Sequence, residues 1–116
     1  MIDSTHIDAT ADNGVLVITL KCEKISEYEA TIVENEIKSL APGFHWKLAL
    51  DFTRVQLLAS VGLGMLVSIN RTTKTNKGKL ALFAMNANLR GLMKMTRLDT
   101  GLTITADRPS AVKSCA

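Results

Sequence analysis

The run Trp46-Lys47-Leu48-Ala49-Leu50-Asp51-Phe52-Thr53-Arg54-Val55-Gln56-Leu57-Leu58-Ala59-Ser60-Val61-Gly62-Leu63-Gly64-Met65-Leu66 passes from strand through loop into helix. Trp46 to Phe52, centred on Leu48-Ala49-Leu50, is an apolar run of the length of a core strand. Ser60 then opens a segment from Val61 to about Thr75 whose first half is apolar on nearly every side. That pattern predicts a helix buried along much of its girth, packed on a sheet with neighbours on both flanks. Asn76-Lys77-Gly78 ends it, with Gly78 suited to the left-handed cap.

The flanking segments repeat the alternation. Thr5 to Ala11, then Asp12-Asn13-Gly14, then Val15 to Leu20 reads as a hairpin, because Asn and Gly both tolerate positive φ. Ser26-Glu27-Tyr28-Glu29 is a capping-box pattern. The helix it starts carries Ile32, Val33, Ile37 and Leu40 on one face, and Pro42-Gly43 stops it. Lys79 to Phe83 is a third core strand, Asn88 to Met95 a short helix with Leu89, Leu92 and Met93 on one side, and Leu102 to Thr105 a last strand. Asp107 caps a final helix with Pro109 in its first turn. Strands separated by helices imply parallel pairing through crossovers. The expectation is an α/β fold: a mixed sheet of about five strands with an N-terminal antiparallel edge strand, and about four helices.

At 116 residues the chain has the size of one domain, expected to span 1–116. It is 47% hydrophobic, enough for a core, and only 4% aromatic, thin for stacking bases or sugars. The net charge of +3 is mild and its basic residues are scattered, which argues against a nucleic-acid partner. Met1 to His6 lacks the pattern of a signal peptide, and the apolar stretch around Val61 to Val67 is too short to span a bilayer. A cytoplasmic protein without a membrane partner is expected.

Candidate chemistry is sparse. Cys22 and Cys115 are far apart and read as reduced thiols, although a bridge from Cys22 to the last turn is geometrically open. With two histidines and no close ligand spacing, no metal site is expected. His6 on the edge strand and His45 in a turn read as solvated, not catalytic. Gly62 and Gly64 fall short of a phosphate-binding fingerprint and read as close packing in a first helical turn. Glu27, Glu29, Glu34 and Glu36 read as a solvated helix face. Met85, Met93 and Met95 read as core filling, with an adaptable binding surface as the alternative. Phe44 and Trp46 read as capping one end of the core. No catalytic residue and no cofactor are expected, so the chain is not read as an enzyme. A small enzyme or ligand carrier would need His6 or His45 beside Cys22 or Ser60.

Ser60 has two readings. It is an N-cap whose removal costs roughly 1 kcal/mol, or it is a phosphorylation acceptor. A phosphate brings about −1.5 to −2 charges to a helix end that favours anions, so the fold would survive the modification.

Asp51 to Leu66 resembles the signature of the STAS domain family, the anti-sigma factor antagonists, typically D-[FL]-[ST]-x-V-x-[FM]-[ILM]-D-S-[ST]-G-L-G-x-L. Asp51, Ser60, Gly62, Leu63 and Gly64 match it. Asn88 to Asp99 is similar to the family's short helix and following turn, and the element order agrees over nearly the whole chain. The resemblance implies a single STAS-type domain. It also implies a bacterial partner switch regulating transcription. An anti-sigma factor serine kinase binds the unphosphorylated domain, phosphorylates Ser60 and lets go, and a serine phosphatase resets it. The partner surface implied is Ala59, Ser60, Val61, Gly62 and Leu63 with Glu23 and Lys24. The sequence departs from the pattern beside the serine and in one further stretch. Ala59 stands where an acidic residue is expected, Val61 where a second hydroxyl is, and Cys22-Glu23-Lys24-Ile25 keeps only the Glu of the family's G-E-L-D stretch. Ala59 and Val61 favour an alternative, a degenerate STAS module that binds constitutively as a scaffold.

Overall fold

The computed structural model describes residues 2–115. In chain order the elements are β1 (Ile2–Asp3), β2 (Ile7–Asp12), β3 (Val15–Leu20), β4 (Lys24–Ile25), α1 (Glu27–Leu40), β5 (Lys47–Asp51), β6 (Leu57–Leu58), α2 (Ser60–Thr75), β7 (Lys79–Phe83), α3 (Ala87–Met95), β8 (Thr103–Thr105) and α4 (Arg108–Cys115). The main sheet runs β1-β2-β3-β5-β7-β8. β1, β2 and β3 pair antiparallel and the rest parallel. The five expected strands are therefore present in the expected sense, and two-residue β1 extends the antiparallel edge.

Local chemistry explains the elements. Asn13 and Gly14 take φ of 52° and 79°, the primed turn their sequence calls for, and set Asp12 opposite Val15. Glu29 closes the capping box of α1 by accepting the Ser26 N–H at 3.0 Å together with the Ser26 hydroxyl. Those two bonds, the hydroxyl first, hold the Glu29 carboxyl below its ordinary pKa. Asp107 caps α4 by accepting the Ser110 N–H at 3.0 Å, which likewise lowers its pKa. Trp46, at φ 58°, precedes β5 instead of starting it.

Alternation along the strands splits the core. Leu16, Ile18, Leu48, Leu50, Leu80 and Leu82 face α1, α2 and α3, burying Val33, Ile37, Leu66, Ile69 and Met93. Phe44 and Trp46 pack against the same cluster. Val15, Val17, Ala49, Ala81 and Phe83 face the other way, where Ala111, Val112 and Cys115 of α4 cover them. Glu34 and Lys38 form an i,i+4 ion pair on α1 at 2.6 Å. Ser68 of α2 bonds to both, accepting from Lys38 and donating to Glu34, so the two helices are tied together.

Several expectations need correction. The first half of α2 is not buried all round: Ser60, Val61 and Gly64 are exposed and Leu63 and Val67 half-buried. The helix packs inward along one side and presents Ser60, Val61 and Gly64 to solvent. Lys77, not Gly78, takes the left-handed conformation, at φ 61°. Gly78 is needed for a different reason: a Cβ there would lie 2.1 Å from the Trp46 carbonyl oxygen. Met85 and Met93 are core residues, but Met95 is 80% exposed. It sits 200° round the helix from Met93, away from the buried side. Cys22 lies with the first cluster and Cys115 in the second, on opposite faces of the sheet. Both thiols are free.

Candidate functional site

Glu23 and Lys24 meet the start of α2 through a two-stranded parallel sheet, β4 with β6, that lies outside the main sheet. Lys24 pairs with Leu57 and Ile25 with Leu58. The Glu23 carbonyl accepts from the N–H groups of Gln56, at 2.7 Å, and Leu57, at 3.0 Å. The Ala59 N–H donates to the Ile25 carbonyl at 3.0 Å. Two segments distant in the chain thus form one ledge, and all seven sequence-predicted residues lie on it or on the helix turn above it.

Gly62 is buried against this ledge. A Cβ on it would stand 2.6 Å from Leu58 Cδ1 and 3.1 Å from the Ile25 carbonyl oxygen. Glycine therefore lets the first turn of α2 rest directly on β4 and β6. Gly64, with open space around it, has no such role.

Ser60 is the first helical residue, not the N-cap. Ala59, with φ −73° and ψ 168°, is the cap and has no side-chain oxygen to offer. The reason is backbone geometry: Ala59 is held extended by its bond to Ile25, so the helix begins one residue later. Among the described residues the Ser60 hydroxyl makes no hydrogen bond, and the residue is exposed. The first intrahelical donor is Leu63 N–H to the Ala59 carbonyl, at 3.1 Å. The N–H groups of Ser60, Val61 and Gly62 precede it and aim out of the helix end.

The loop leading here is also organised. Asp51 accepts the Thr53 N–H at 2.8 Å and the Thr53 hydroxyl, so its carboxylate shapes the turn after β5. Asn86, the cap of α3, accepts from Leu89 N–H at 2.8 Å and approaches the Val55 carbonyl. This sets α3 beside β6 and opens a groove of about 420 Å³, lined by Gln56, Leu57, Leu58, Leu89, Leu92 and Met95 among others. Leu57 is 61% exposed and Val61 46%, which with Met95 makes an apolar surface around the ledge. Sequence reading missed Leu57 and misplaced Met95. The helical rotation from Met93 was the available signal for the latter.

Elsewhere the described residues offer little chemistry. His6 stacks edge-on against Tyr28, and Cys22 Sγ meets the His6 carbonyl, not its ring. Burial, then the charges of Glu29 and Glu36, push the Cys22 thiol pKa up. Burial raises that of Cys115 as well. No cluster of His, Cys, Asp or Glu suited to a metal ion occurs among the described residues. Among the described residues no helix is long and apolar enough to cross a membrane.

The STAS domain model matches residues 6–111. Among solved structures the chain is similar to an anti-sigma factor antagonist from Mycobacterium paratuberculosis, at 21% identity and TM-score 0.82, covering 94% of this chain and 92% of that one. A STAS domain protein from Planctomyces limnophilus aligns at 17% identity and TM-score 0.82, covering 98% and 100%. The Bacillus cell fate determinant SpoIIAA in its phosphorylated form aligns at 15% identity and TM-score 0.70, covering 93% and 97%. Among curated proteins no sequence matches. At these identities the structural likeness establishes the fold.

Proposed function

Since the chain belongs to the STAS domain family, we propose that it is an anti-sigma factor antagonist whose binding surface is centred on Ser60. The unphosphorylated form binds an anti-sigma factor serine kinase in the cytoplasm through Ala59, Ser60, Val61, Gly62 and Leu63 with Glu23 and Lys24. Transfer of phosphate to the Ser60 hydroxyl ends the contact, a serine phosphatase restores it, and transcription follows the exchange. The domain works by binding and has no catalytic residue of its own.

The observation that carries this reading is the state of Ser60: exposed, free of hydrogen bonds among the described residues, and fixed above the β4–β6 ledge. A phosphate there adds about −1.5 to −2 charges. The open N–H groups of the first turn favour that charge, so the domain keeps its fold. A partner packed over Leu57 and Val61 would instead have to desolvate it, which is costly for an unpaired charge. The switch acts on the interface and not on stability.

A second reading rests on Ala59 and Val61, which flank Ser60 with apolar side chains. In this reading the apolar surface holds its partner constitutively. One comparison separates the two. Tagged wild type and Ser60→Asp are used to recover partners from the source cell, and the recovered proteins are identified. An ATPase-type serine kinase recovered by the wild type alone supports the switch. Equal recovery by both selects the constitutive module. Incubation with that kinase and ATP should place one phosphate on Ser60, and phosphate found only elsewhere overturns the switch.

A further inference from the structure

The pole of the sheet remote from Ser60 collects cations that have no carboxylate partner among the described residues. β5 and β7 start side by side with Lys47 in register with Lys79. Both point to the α4 face, as do Ala49 and Ala81 two residues on. Lys74 in the last turn of α2 and Lys77 in the turn after it lie at the same end. Elsewhere Lys38 pairs with Glu34 and Arg108 with Asp12. Lys47, Lys74, Lys77 and Lys79 form no ion pair among the described residues.

A cleft of about 230 Å³ opens beside Lys74 and Lys79, lined also by Asn70, Gly78, Thr103 and Ser114 among others. It is smaller than the roughly 300–1,000 Å³ typical of pockets for drug-sized ligands. Asn70 crosses its wall, donating to the Gly101 carbonyl at 3.1 Å. Ser114 is committed to the Ala111 carbonyl at 2.9 Å. Thr103 makes no side-chain hydrogen bond among the described residues, so its hydroxyl is a free donor beside two free ammonium groups. The C-terminal end of α2 accounts for Lys74. It does not account for Lys47 beside Lys79, a like-charge pair on neighbouring strands that costs stability when nothing lies between.

We propose that this cleft binds a small phosphate-type anion, held by Lys74, Lys79 and Thr103, with Lys47 adding charge from the next strand. The anion offsets the lysine repulsion and ties the end of α2 to the sheet. Lys74 is fourteen residues from Ser60, about 21 Å along α2 at 1.5 Å per residue. The site is therefore separate from the partner surface and does not depend on the reading of Ser60.

Titration of the full chain with inorganic phosphate and with pyrophosphate, at constant ionic strength and followed by amide NMR, tests it. Saturable shifts at Gly78, Lys79, Gly101 and Thr103 are expected, unchanged in Ser60→Asp. Replacing Lys74 and Lys79 together by Gln should weaken binding by about tenfold or more, as loss of charge-assisted hydrogen bonds implies. Thr103→Val, on an exposed edge position, should weaken it less. Shifts that never saturate, that centre on Ser60, or that persist unchanged in the double variant overturn the proposal. Retained amide dispersion in each variant shows that the fold is intact.

Discussion

Ala59 donates its backbone N–H to the Ile25 carbonyl at 3.0 Å. This one bond joins the end of β6 to the end of β4 and fixes where α2 begins. It holds Ala59 extended, makes it the cap, and leaves Ser60 as the first helical residue with its hydroxyl in solvent. The position of the candidate switch is thus set by a contact between two short strands and not by the chemistry of serine.

Gly62→Ala should destabilise the domain by about 1–3 kcal/mol in denaturant unfolding. Leu58 can swing aside, but the Ile25 carbonyl, 3.1 Å from the new Cβ, is held by Ala59 and cannot. Gly64→Ala meets open space and should stabilise by about 0.5–1 kcal/mol. Equal effects at the two positions would refute the close-approach role of Gly62.

Ser60→Ala should change stability by less than about 0.5 kcal/mol, because no cap is lost. Ser60→Asp should be neutral or stabilising by about 0.3–1 kcal/mol at a helix N-terminus. Thermal unfolding of the three proteins checks this. A large loss in Ser60→Asp would mean that any binding defect of that variant reports unfolding instead of a charged interface.

Glu29 supplies a pH test. Its folded pKa is lowered, chiefly by accepting the Ser26 hydroxyl and then the Ser26 N–H. Its contribution is therefore complete above the ordinary Glu value of about 4.3 and disappears as pH falls through the lowered folded value. Asp107 behaves in the same sense through Ser110. Glu29→Gln should lose less stability than the wild type between neutral and acidic pH. Parallel pH profiles would show that the capping box adds no pH dependence.

Both cysteines should alkylate slowly at neutral pH, since burial raises each thiol pKa and less thiolate is present. Cys22, half-buried, should react first, and Cys115, 1% exposed and donating to the Leu48 carbonyl, only on unfolding. Mass mapping after iodoacetamide treatment distinguishes them. Early labelling of Cys115 would show that α4 detaches readily from the sheet.

Much of the fold was legible because its signals are local. Asn13-Gly14, Ser26 with Glu29, and Asp107 with Pro109 act within a few residues. The apolar runs at 15–20, 48–50 and 80–83 are long enough to show their state. β4 and β6 were not legible: two residues each carry no periodicity, and they form only by pairing with each other. Met95 was misread because methionine is apolar whichever way it points. Of the two readings of Ser60 the N-cap fails, because the extended residue that caps the helix is the alanine before it, which carries no capping signal.

By itself the sequence determined the alternation of strands and helices, the hairpin, the helix ends that cap with polar side chains, and the motif that carries the family likeness. Those follow from residue chemistry within one turn or one strand. Only the tertiary structure decided that Glu23 and Lys24 sit beside Ala59 to Leu63. It also decided that Gly62 is bound by contact while Gly64 is not, and that Leu57, Val61 and Met95 face solvent together. Each of these depends on which backbone groups meet across the chain, and a linear pattern of side chains does not record that.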